Sequence, residues 1–148
     1  MFRKKDTGVS RELLKGIDLT TLVHGDKTLM GQFKLAKGSI VPTHLHPHEQ
    51  TGIMISGKLR FVVEGEIMDV ETGDSWCLLG GVEHSAEALE DSVVIEVFSP
   101  VREDYLPSKN QILNDVPNTI RNICNRNTPR KRGQIFGFDN LLICSRIR

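Results

Sequence analysis

Three histidines and a glutamine stand at spacings that could close around a metal ion. His44 and His46 are separated by one residue in Gly38-Ser-Ile-Val-Pro-Thr-His44-Leu-His46-Pro-His48-Glu49-Gln50, and His84 closes a second run that begins at Gly73. In an extended strand alternate side chains share a face, so His44 and His46 would present two imidazoles side by side. A third imidazole and a side-chain oxygen from other strands would complete a four-ligand set. The same alternation selects Gln50 over Glu49 as the oxygen donor, because Glu49 should point to the opposite face. Three imidazoles and an amide carry no charge to offset a divalent cation, which would therefore remain a strong Lewis acid. Such ligands suit zinc, nickel, manganese or iron and do not choose among them. His48 shares the face of His44 and His46 unless Pro47 breaks the register, and it fits a supporting or surface role better than that of a further ligand. His24 stands apart from the run and is read as solvent-facing.

The elements that position these residues read as short strands. From Leu29 onward glycines at 31, 38, 52, 57, 65, 73, 80 and 81 break the chain into short segments, a spacing that predicts an all-β barrel or sandwich. Leu59, Phe61 and Val63 alternate with Arg60 opposite them, and Gly65-Glu66 predicts a turn into Ile67-Met68-Asp69-Val70 and hence a hairpin. Thr72-Gly73-Asp74 predicts another turn before the apolar Trp76-Cys77-Leu78-Leu79. Ser92 to Phe98 is a β-branched strand that carries Glu96 on one face. Ser10 to Asp18 fits a short helix or an edge strand. Trp76 either lines the barrel interior beside the site, where it would contact substrate, or fills the core.

These runs resemble the two motifs of the cupin superfamily, G-x5-H-x-H-x3,4-E-x6-G and G-x5-P-x-G-x2-H. Gly38, His44, His46, Gly57, Gly73, Gly81 and His84 agree, while Gln50 replaces the usual Glu and Leu79 the usual Pro. Val94 to Leu106 adds a narrower likeness to the small single-domain cupins of pectin and alginate breakdown that open unsaturated uronates. The resemblance implies a double-stranded β-helix, a jelly-roll barrel, spanning residues 1–107 with its motif core at 38–98. It also implies a homodimer and a small anionic substrate. In the uronate-opening cupins the strand corresponding to Ser92–Phe98 bears an acidic residue that moves a proton, an aromatic wall and an arginine. Those roles would fall here on Glu96, Phe98 and Arg102. Where that family favours Asp this chain has Glu96, one methylene longer, and proton transfer is sensitive to such a shift. A structural salt bridge is the alternative for Glu96, and an ion pair with Glu103 or Asp104 the alternative for Arg102. The resemblance therefore implies a metal-dependent enzyme that opens or isomerises a sugar-derived acid. A noncatalytic metal-bound sensor of small molecules and an iron-dependent dioxygenase are the alternatives.

Composition narrows the setting. A chain of 148 residues with 39% hydrophobic and 26% charged residues suits one domain. No apolar run is long enough to span a bilayer, and no apolar signal core follows the basic start, so a cytoplasmic location without membrane contact is expected. Cysteines at 77, 124 and 144 form no framework of pairs, which argues against a secreted disulfide scaffold. Cys77 is read as a small buried apolar residue. The net charge of zero hides an asymmetry, because residues 1–107 sum to −6 and residues 108–148 to +6. The stretch 108–148 is read as a short, irregular, basic C-terminal extension, with a helix start near Asn110 and a further strand or hairpin from Gln134. Its Arg126, Arg130, Lys131 and Arg132 near Phe136 and Phe138 are read as a solvated segment rather than a nucleic-acid surface.

Overall fold

A computed structural model of the chain describes residues 2–4, 7 and 10–107. The extension 108–148, with its expected helix start, strand and basic run and with Cys124 and Cys144, lies outside the described residues. Among the described residues no helix is long and apolar enough to cross a membrane.

Ten strands follow one another: β1 (Ser10–Leu14), β2 (Ile17–His24), β3 (Leu29–Leu35), β4 (Ile40–His44), β5 (Glu49–Ser56), β6 (Lys58–Val63), β7 (Glu66–Glu71), β8 (Ser75–Leu78), β9 (His84–Ala88) and β10 (Ser92–Ser99). They pair antiparallel into a six-stranded sheet, β1-β2-β3-β10-β5-β8, and a four-stranded sheet, β4-β9-β6-β7. The inner faces enclose a core that includes Ile17, Leu19, Leu29, Met54, Leu59 and Phe98. This is the jelly-roll barrel expected from the motifs. Strand alternation builds it: along β10, Ser92, Val94, Glu96 and Phe98 are buried while Val93, Ile95 and Val97 between them face outward.

Glycine does specific work at two corners. Glu64 and Gly65 both have positive φ, 50° and 88°, which matches the primed turn that joins β6 to β7. Gly57 alone connects β5 of one sheet to β6 of the other. Its φ is 92°, and a Cβ there would lie 2.4 Å from Ser92 Oγ and 2.5 Å from the Asp91 carbonyl.

Several expectations change. Ser10–Leu14 takes the strand alternative, and a second strand at Ile17–His24 joins it, with Ile17, Leu19 and Thr21 buried on its inner face. His24, expected to face solvent, is half-buried at the end of that strand. Cys77, expected in the core, is exposed. The cause is register: Trp76 and Leu78 take the inner face of β8, so the residue between them must point outward. β4 ends at His44, so His46 reaches the site from the following loop and not from the same strand.

Candidate metal centre

His44 closes β4 and His84 opens β9, and the two are direct cross-strand partners with ring centroids 4.4 Å apart. β4 is an edge strand whose register shifts between Val41 and His44, the kind of position where Pro42 is tolerated. His46 swings in from the loop, with its centroid 5.1 Å from that of His84. One ligand atom from each of the three rings lies within 4.8 Å of the others.

Main-chain carbonyls orient all three rings. Each Nδ1 faces a backbone oxygen: Pro42 at 2.9 Å for His44, His48 at 3.0 Å for His46 and Val82 at 2.8 Å for His84. A carbonyl only accepts, so Nδ1 carries the proton and Nε2 keeps its lone pair. For His84 that Nε2 is buried without a hydrogen-bond partner. Burial lowers the pKa of both His46 and His84, and the positive charge of Arg102 adds to the effect, so both rings favour the neutral form that binds metal.

Gln50 on β5 is buried, while Glu49 beside it is exposed. Its Nε2 donates to Glu96 Oε1 at 2.6 Å, which turns Oε1 towards His46 Nε2 at 3.1 Å. With His46 protonated at Nδ1, two lone pairs face each other across that gap, an arrangement a shared cation relieves. The donor set therefore fits a divalent ion. His48 lies outside the cluster and supports it through its carbonyl, while its own half-buried ring has an Nδ1 without a partner.

The site opens on a cavity of about 80 Å³ whose lining includes His44, Gln50, His84, Glu96, Phe98 and Arg102. Glu96, on the inner face of β10, is buried, and its carboxyl is pushed up to about 7, above all by desolvation. The Gln50 amide, the Trp76 indole and the Arg102 charge offset part of that rise. Arg102 takes the ion-pair alternative, with Asp104 as its partner. Its Nε donates to the Asp104 carboxylate at 3.1 and 3.2 Å, and its guanidinium also lines the cavity, 3.9 Å above the Tyr105 ring and 5.6 Å from Phe98. Trp76 is not among the lining residues. Its indole packs against Phe61, with centroids 5.1 Å apart.

Tyr105 escaped the sequence analysis. Its ring packs edge-on to Phe33 and Phe98, and burial pushes its hydroxyl up to about 12. The available signal was its place three residues after Arg102 within the turn Glu103–Tyr105.

The fold and this histidine cluster define a cupin, and the chain belongs to that family: the cupin domain matches residues 31–99. The pectin degradation protein KdgF of Dickeya dadantii is 35% identical over 97 residues, covering 64% of this chain and 88% of that protein. The structure of KdgF from a Halomonas species superposes with a TM-score of 0.68 at 30% identity, over 72% of this chain and 100% of that one. An RmlC-like cupin from Shewanella frigidimarina gives the same TM-score at 25% identity, over 71% of this chain and 95% of that one.

Proposed function

We propose that this protein is a metal-dependent isomerase of a small sugar-derived acid, acting on an unsaturated uronate of the kind that pectin breakdown releases. The observation that carries the reading is the buried Glu96 carboxyl, pushed up to about 7, which lines one cavity with His44, His84 and Arg102 beside the three-histidine cluster. Its relatedness to a pectin degradation protein supports the substrate class.

His44, His46, His84 and Gln50 would hold the ion, which when bound supplies a Lewis acid for a substrate oxygen. Arg102 grips the substrate carboxylate with the guanidinium edge that Asp104 leaves free, and Phe98 forms a wall against the sugar face. Ring opening breaks the bond between the anomeric carbon and the ring oxygen. The anomeric hydroxyl loses its proton to become an aldehyde, the ring oxygen becomes an enol, and a proton then moves from that enol to the neighbouring alkene carbon. No atom is gained or lost. A carboxyl that titrates near neutrality can both accept and return such a proton, which assigns the shuttle to Glu96. The resemblance also implies a homodimer, for which exposed Ile53 and Ile55 on the outer face of the six-stranded sheet offer an apolar surface.

The test is an ultraviolet assay of zinc-, nickel- or manganese-loaded protein with an unsaturated monouronate, run beside Glu96→Ala. Loss of the double-bond absorbance with wild type alone supports both the reaction and the role of Glu96. A flat trace from protein shown to hold its metal removes the uronate as substrate.

A further inference from the structure

A row of inward-facing positions crosses three adjacent strands. Glu96 on β10 pairs with Gly52 on β5, and Gly52 pairs in turn with Trp76 on β8. Glu96 and Trp76 are therefore two strands apart, with no side chain between them.

The indole uses that gap. A Cβ at position 52 would lie 2.3 Å from Trp76 Cε2, 2.4 Å from Cζ2 and 2.6 Å from Nε1, so the ring edge that carries the N–H lies directly on the Gly52 backbone. Phe61 packs against the indole and helps fix its plane. The indole N–H is buried and has no partner in hydrogen-bond geometry. A buried donor left unpaired costs free energy comparable to a lost hydrogen bond, so it is drawn towards the nearest acceptor. The Glu96 carboxyl lies beyond Gly52 in the same row, and the indole favours its charged form. Gln50 holds Oε1 of the same carboxyl.

We propose that Trp76 is a positioning residue for Glu96, its indole N–H closing on the carboxyl across Gly52 so that Gln50 and Trp76 clamp it from two sides. Glutamate has one more rotatable bond than aspartate, and a proton shuttle on the longer arm needs its orientation fixed. Position 52 is glycine because any side chain would displace the clamp. The consequence for turnover rests on the isomerase reading, while the clamp itself does not.

Trp76 is the only tryptophan in the chain, so the full-length protein gives a single indole N–H signal in a proton–nitrogen correlation spectrum. In zinc-loaded protein, Glu96→Gln keeps the shape of the side chain and removes its charge. The expected result is a displaced indole signal whose proton exchanges faster with solvent, with the same change in Gly52→Ala. An unmoved signal in Glu96→Gln overturns the clamp whether or not the protein turns over a uronate. In the assay, Trp76→Phe keeps an aromatic ring in place and removes the donor together with part of the ring system. It should retain stoichiometric zinc and lower kcat about tenfold or more with KM unchanged. An unchanged kcat, or a rise confined to KM, overturns the positioning role while leaving the isomerase reading in place.

Discussion

The two ends of the barrel interior follow one strand period and hold opposite chemistry. At one end Ser92 and Val94 of β10 lie among Ile17, Leu35, Met54 and Leu59, all buried and almost all apolar. At the other end the same strand presents Glu96 and Phe98 to Gln50 and the histidines. There buried polar atoms go unsatisfied: two ring nitrogens and an indole N–H lack partners, and a carboxyl is lifted towards neutrality. The closed end stabilises the fold, and that surplus lets the open end keep groups that would prefer water or a cation.

If the division holds, substitutions at the two ends should separate stability from binding. Leu59→Ala, at the closed end, should lower unfolding free energy by about 2–5 kcal/mol in urea titrations. The metal bound per folded molecule should stay the same, and a parallel loss of metal would show that the ends are coupled. His84→Ala should do the reverse, with metal affinity by calorimetry falling beyond the hundredfold that removing a supporting partner costs. The urea midpoint of the metal-free protein should barely move.

Glu96→Gln sharpens the contrast through pH. The folded carboxyl titrates near 7 and the unfolded one near the ordinary glutamate value of 4.5. Between those values the folded state holds a proton that the unfolded state has released. Stability is therefore fully present below the lower value and is lost as pH rises through the upper one. Metal-free wild type should lose on the order of 3 kcal/mol relative to Glu96→Gln across that window. The lowered pKa values of His46 and His84 act with the opposite sign but are common to both proteins, so they cancel in the difference. Parallel curves would mean that the carboxyl is better solvated than its burial implies. The smallest effect belongs to the outer surface. Arg60→Ala, which breaks an exposed pair with Asp69, should leave the urea midpoint and the metal content unchanged.

Much of this was legible in the sequence, and the parts that were not share a cause. The histidine spacings, the Gly65 turn and the alternation of Leu59 and Phe61 are local patterns, and each predicted its element. Reading Gln50 inward and Glu49 outward needed only the strand period. Cys77 went wrong because its face depends on where β8 enters the ladder, which the apolar run Trp76–Leu79 does not reveal. β2 was missed because its Ile17, Leu19 and Thr21 are spaced among polar residues ahead of the first glycine-punctuated segment. Two further relations are long-range: the indole lying on Gly52 joins positions 24 residues apart in the chain, and Tyr105 beneath Arg102 depends on how a turn folds back onto β3. Neither leaves a periodic trace.

The three histidines are oriented by main-chain oxygens rather than by neighbouring side chains. The information that aims the rings is therefore stored in the path of the backbone, where point substitution cannot easily erase it. Residues 42, 48 and 82 can change identity and still supply the oxygen, provided the chain keeps its course. Side chains of the cavity wall are free to change while the three imidazoles stay aimed at one another.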